Sequence, residues 1–235
     1  MKYKCFYFLF FKRPMKKVLE EKYDKAYASE IIRKSKKVYR ELVENMDDIG
    51  KDNPMLYNEL FALAFVSPYL ASDKKIPPKT IQEMMERSLY YIKWYFARTD
   101  LNTDKGKASN KKSIVKYSKW YTEEREKKYP SSFKVDFVGK PYEGACYYRI
   151  TRCPICSYTK KLGVGELMPL LCELDDVMIK IQHGVLYREG TIADGADYCD
   201  YFIIGDKEKL SDFQDSKIWE LELKWTLAKL FLLQY

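Results

Sequence analysis

Phe133-Lys134-Val135-Asp136-Phe137-Val138 alternates apolar with polar side chains, and Cys146-Tyr147-Tyr148-Arg149-Ile150 is rich in residues that favour extended backbone. This stretch decides the fold class, because everything before Pro130 is patterned at helical spacing. The two segments predict a hairpin closed through Gly139 to Gly144, with Pro154 interrupting its second strand just after Cys153. A helix is expected over about 166–182. The segments Val185–Thr191 and Tyr198–Ile204 then read as a second strand pair joined by the turn Ala193-Asp194-Gly195.

Upstream, residues 15–46 repeat Leu19, Tyr23, Ile31, Val38 and Leu42 at helical spacing, giving one long helix or two shorter ones. Gly50 to Asn53 reads as a turn, after which Pro54 opens a helix carrying Leu56, Leu60, Leu63 and Ala64 on one face. Pro77-Pro78 starts another, with Ile81, Met84, Met85 and Leu89. The polar segment Asp100–Lys112 reads as a loop before an amphipathic helix at about 113–127. The expected fold is α+β: a helical half packed on a small antiparallel sheet with one crossing helix. Three regions are expected: 1–131 helical, 132–205 α+β and catalytic, and 206–235 a tail. The tail fits both periods, with Trp219, Leu221, Leu223 and Trp225 alternating and Leu223, Leu227, Leu230 and Phe231 at helical spacing, and a helix is preferred.

With 46% hydrophobic and 32% charged residues among 235, the chain can bury a core without disulfide or metal help, and disorder is excluded. No run approaches the ~18 apolar residues of a membrane helix, and Cys5-Phe6-Tyr7-Phe8-Leu9-Phe10-Phe11 is too short for a signal segment. A soluble, cytoplasmic protein without a membrane partner is expected. The net charge of +8 belongs to the first half, where residues 1–131 hold 29 Lys and Arg against 18 Asp and Glu, while residues 132–235 hold 13 against 16. The basic residues are interleaved with Glu20, Glu21 and Glu30, the pattern of a solvated helix face, so nucleic acid is not the expected partner.

Five of the six cysteines, Cys146, Cys153, Cys156, Cys172 and Cys199, fall in the last two fifths of the chain. In a reducing compartment they are buried small hydrophobes, metal ligands or nucleophiles. Cys153 and Cys156 have the spacing of a zinc-finger pair. Cys172 and Cys199, 27 residues apart, do not, so no cofactor is expected, with zinc or iron through Cys153, Cys156, Cys172 and Cys199 as the alternative. His183 is the only histidine, which excludes His-rich metal sites, and it reads as a helix cap or surface residue. No glycine-rich phosphate loop or nucleophile-elbow motif is present. The remaining candidates are a dense polar set: Arg152 at a strand end, Glu166, Cys172 and Asp175 on the helix, and Arg188, Thr191, Cys199 and Asp200 on the last strands. Cys172 and Asp175 share a helix face, whereas Cys199 and Asp200 point to opposite faces of a strand.

These residues carry a resemblance. Arg152-Cys153-Pro154, then Glu166-Leu167-Met168-Pro169-Leu170-Leu171-Cys172-x2-Asp175, then Arg188-x2-Thr191-x3-Gly195-x3-Cys199-Asp200 followed by an aromatic, is similar to the L-2-amino-thiazoline-4-carboxylic acid hydrolase family. The resemblance covers about 130–204, with the helical segment 54–97 similar to the family's N-terminal part. The chain departs from the family in Tyr201 where Phe is preferred, in the second cysteine Cys156, and in the tail after Asp206.

The resemblance implies a hydrolase that opens a cyclic amidine or thiazoline ring to a carbamoyl-cysteine, with a small molecule as partner. Such chemistry needs a nucleophile at the amidine carbon, a carboxylate for the amidinium and a cation for the substrate carboxylate. Cys199 or Cys172 can supply the thiolate, with Cys199 preferred, and Asp175 or Asp200 the carboxylate. Arg188 can supply the clamp, with Thr191, Arg152 and Glu166 as further substrate contacts. Two other readings stand beside it: a heterocycle-forming cyclase using the same site, and a non-enzymatic small-molecule or metal-thiolate binding module. On the hydrolase reading Cys172, Asp175, Arg188 and Cys199 converge in one cleft, with Tyr or Trp from residues 56–96 as its apolar wall. The oligomeric state has no signature in the sequence.

Overall fold

The computed structural model describes residues 3–136 and 146–213. The turn expected through Gly139 to Gly144 and the tail from residue 214 onward lie outside the described residues. In chain order the elements are α1 (Phe8–Lys22), α2 (Lys25–Asn45), α3 (Leu56–Ala71), α4 (Pro78–Tyr91), α5 (Lys93–Phe96), α6 (Asp104–Trp120), α7 (Glu123–Lys128), β1 (Lys134–Asp136), β2 (Cys146–Arg152), α8 (Pro154–Lys161), α9 (Met168–Ile181), β3 (Gly184–Tyr187) and β4 (Cys199–Gly205). The fold is α+β, as the change of pattern after Pro130 predicts. Among the described residues no helix is long and apolar enough to cross a membrane.

The apolar repeat over 15–46 becomes two helices, because Asp24 leaves the helical conformation and its carboxylate accepts the Tyr27 N–H at 2.8 Å, starting α2 afresh. The first helix begins earlier than its periodicity indicated, at Phe8, and buries Phe8 and Phe11. After Gly50, at φ +91°, the chain turns past Trp120, whose ring would lie 2.7 Å from any Cβ placed there, so this position demands glycine twice over. α3 is apolar on nearly every side and is enclosed by α1, α2, α4 and α8.

Two local expectations are corrected. Asp100–Lys112 is mostly helix: Thr103 accepts the Gly106 N–H at 3.1 Å and starts α6 at Asp104, so the polar composition marks an exposed helix and not a loop. The helix expected at 113–127 is instead the end of α6 and the short α7, restarted where Thr122 accepts the Arg125 N–H at 3.3 Å. Pro154 does end the strand, but it does so by occupying the first turn of α8, where its missing N–H is harmless.

Among the described residues the four strands form one antiparallel sheet in the order β1-β2-β4-β3, with Ile150 opposite Cys199 and Arg149 opposite Asp200. Strand alternation splits its faces. Tyr148, Ile150, Leu186, Cys199, Tyr201 and Ile203 join the large core shared with the helices. Phe202 and Ile204 join Leu210 and Phe213 in a second cluster on the far side. α9 runs between the sheet and the N-terminal helices, packing on β3 and on α4. His183, at φ +56°, follows its C-terminal end in the left-handed conformation that stops helices, with an exposed ring 3.8 Å from Asp206.

Candidate active site

Between α3, α9 and the inner face of the sheet lies a cavity of about 110 Å³. A single water needs on the order of 15 Å³, so the space suits several waters or one small heterocycle. Its polar lining is short: Cys153 at the end of β2, Cys172 and Asp175 one helical turn apart on α9, Cys199 and Tyr201 on alternate positions of β4, and Asn58 on α3. Cys199 and Asp175 therefore meet although 24 residues separate them in the chain. The helix face and the strand face named by their spacing point into the same space.

Arg188 packs against Asp175, Cys172 and Tyr201 of this group without lining the cavity itself. Its guanidinium donates to Asp175 Oδ2 at 3.1 Å and to the Cys172 carbonyl at 3.1 Å, lies 3.8 Å from Asp176 Oδ2, and stacks over the Tyr201 ring at 5.6 Å. Tyr201 donates to the same Asp175 oxygen at 2.8 Å and stacks on Tyr148 with centroids 4.6 Å apart. Burial works against the Arg188 charge, but Asp175, Tyr201 and Asp176 more than offset it, so the guanidinium is held protonated more firmly than usual. Burial also pushes the Asp175 carboxyl above its usual range, against the opposing pull of Arg188 and the Tyr201 hydroxyl.

The three cavity thiols differ in what faces them. Burial raises all three, Cys172 to about 12 with the Asp175 charge adding to the effect, and Cys153 further still with only the Cys156 N–H opposing. For Cys199 burial is countered by two groups that favour a thiolate: the Ile192 N–H, which donates to Sγ at 3.2 Å, and the Arg188 charge. Cys199 is thus the thiol of the three with both a backbone donor and a cation supporting its ionised form. Among the described residues no group of three or more His, Cys, Asp and Glu side chains, Cys153, Cys156, Cys172 and Cys199 among them, is arranged to hold a metal ion.

Five of the site residues read from the sequence do not line the cavity: Arg188, which was expected to converge there and instead lies beside it, and four that are held elsewhere. Asp200 points to the far face of the sheet, where it accepts the Glu189 and Gly190 N–H groups at 2.9–3.0 Å and so shapes the turn after β3. Thr191 caps the next turn, accepting the Asp194 N–H at 3.2 Å and donating to the Asp194 carboxylate at 2.6 Å. Arg152 donates to the Ser132 carbonyl at 2.8 Å and pairs with Glu126 at 3.2 Å. Glu166 is exposed and accepts from Tyr69 at 3.0 Å. The apolar wall is also corrected: Phe61, Phe65, Met55 and Leu89 supply it in place of Tyr or Trp. Tyr90, Tyr91, Trp94 and Tyr95 instead stand in solvent at 51–61% exposure. The sequence reading missed Asn58 and Asp176 and saw in Tyr201 only a departure from the family. The i, i+2 spacing from Cys199 was the signal that could have placed Tyr201 beside it.

A family model described as L-2-amino-thiazoline-4-carboxylic acid hydrolase matches residues 57–203, more than half of the chain. The chain belongs to that family. The match runs from α3 to β4 and so takes in every element that lines the cavity of this thiazoline-hydrolase family member. No curated protein and no solved structure matches it. The family description names a hydrolase and a thiazoline, and the short polar lining against an apolar wall suits a small ring with few polar handles.

Proposed function

We propose that the chain hydrolyses a cyclic amidine of the thiazoline type, opening the ring to a carbamoyl product, with Cys199 as the attacking sulfur. The observation that carries this reading is the meeting of Cys199, with its Ile192 N–H donor, and Asp175, with its Arg188 and Tyr201 partners, on one cavity. Asp175 Oδ2 is occupied by those partners. Oδ1 makes no hydrogen bond among the described residues and is the natural acceptor for an amidine N–H.

A thiol raised by burial needs a base, and the amidine is one. Transfer of the Cys199 proton to the ring nitrogen gives a thiolate and an amidinium in contact, the nucleophile and electrophile arising in one step. The sulfur then bonds to the amidine carbon as the C=N electron pair moves to nitrogen. Collapse expels the ring sulfur or ring nitrogen, which takes up a proton. Water adds to the resulting amidino-thioester, and expulsion of Cys199 leaves a carbamoyl group and returns the thiol, a net gain of one water. The Ile192 N–H favours the thiolate both when it attacks and when it leaves.

The test is turnover of a 2-amino-2-thiazoline followed by mass. Hydrolysis adds about 18 Da, and loss of the same mass would identify the cyclase. Cys199→Ala should fold and lose activity by about a thousandfold or more, while Cys172→Ala retains more of it. Full activity in Cys199→Ala would remove the covalent route and leave water activated by Asp175 as the better account.

A further inference from the structure

Beyond its few polar groups the cavity is closed by Phe61, Phe65, Met168, Leu171, Leu174 and Met178, and among the described lining residues there is no Lys, Arg or His. Arg188, the cation beside it, is committed: one nitrogen to Asp175, the other to the Cys172 carbonyl and Asp176, with its side chain only 12% exposed. Two carboxylates around one guanidinium leave this end of the site with a negative balance. Besides the thiols, two lining groups have no internal hydrogen-bond partner among the described residues, Asp175 Oδ1 on α9 and the half-buried Asn58 amide on α3. A carboxylate oxygen and an amide together suit a ligand that brings N–H donors.

We infer that the substrate of this site is a cyclic amidine without an acid group, carrying an apolar substituent where L-2-amino-thiazoline-4-carboxylic acid carries its carboxylate. The inference rests on the hydrolase reading above and specifies its substrate class. An amidinium entering the cavity meets Asp175 Oδ1 and the negative balance around it. A carboxylate would lose its water against Phe65, Leu174 and Met178 and find the Arg188 guanidinium beside the cavity already paired. The same wall favours an alkyl or aryl substituent, because it removes that apolar surface from water without asking for a polar partner.

The experiment compares two probes on the purified full-length protein by calorimetry and by mass: 2-amino-2-thiazoline bearing a 4-isobutyl group, and 2-amino-2-thiazoline-4-carboxylate. The alkyl probe should bind about a hundredfold more tightly, the scale of a charge buried without its partner. Met178→Lys, which adds a cation to the wall, should tighten the carboxylate probe by about tenfold. Equal or tighter binding of the carboxylate to the unaltered protein, binding of neither probe, or no gain in Met178→Lys overturns the inference. Tight binding of the alkyl probe without a gain of mass supports the ligand class and sinks the hydrolase reading. Turnover of the carboxylate at least as fast as the alkyl probe does the reverse.

Discussion

Glu59 sits on α3 with 1% of its surface exposed, and its Oε2 has no hydrogen-bond partner among the described residues. Burial, with the nearby Asp47 charge adding to it, raises its carboxyl from 4.5 to about 8. Tyr158, whose hydroxyl the Glu59 charge also affects, donates to the Leu42 carbonyl at 3.0 Å. Below pH 4.5 the group is neutral in both folded and unfolded chains and contributes no pH dependence. Between 4.5 and about 8 the unfolded chain is ionised while the folded one holds its proton, so stability falls as pH rises. At about 1.4 kcal/mol per pH unit the full window amounts to roughly 5 kcal/mol, a large part of a typical domain's stability. Glu59→Gln keeps the shape and removes the titration, at a constant offset for its own unpartnered amide. The variant's unfolding free energy minus that of the wild type, measured by urea denaturation from pH 5 to 9, should grow by up to about 1.4 kcal/mol per unit and level off near pH 8. Parallel pH profiles for the two proteins would refute the reasoning, because they would mean that the carboxylate is solvated in the folded state.

Asp200→Ala removes the acceptor of the Glu189 and Gly190 N–H groups and should lower unfolding stability by about 2 kcal/mol, while the turnover of the folded fraction stays within a few-fold; a loss like that of Cys199→Ala would put Asp200 in the chemistry instead. Asp24→Ala removes the N-cap of α2 and should cost about 1 kcal/mol in chemical denaturation, with no change in probe binding. Alkylation of Cys172, followed by peptide mass mapping, should rise about tenfold per pH unit from pH 7 to 10 without a plateau, because its thiol titrates only at about 12; a plateau within that range contradicts its burial beside Asp175.

Local pattern was enough for the α+β class, since period-2 alternation and helical spacing are consequences of backbone geometry that operate over a few residues. It was also enough for the shared face of Cys172 and Asp175 and for the opposite pointing of Cys199 and Asp200, each a property of a single element. It failed at Thr103, where one side-chain cap outweighs the polar composition of the segment, and it left open the choice between one helix and two that the cap at Asp24 decides. What only the tertiary structure decided is which faces meet. Arg188 has the same chemistry in any sequence reading, but whether it clamps a substrate or is spent on Asp175, Asp176 and a helix carbonyl depends on the packing of α9 across β3 and β4. Likewise Asp200 becomes a turn-former because β4 is buried on both faces and its far side must satisfy the N–H groups that follow β3. Electrostatic partners and desolvation are set by distances between elements, and those distances are fixed by the close packing of the core as a whole.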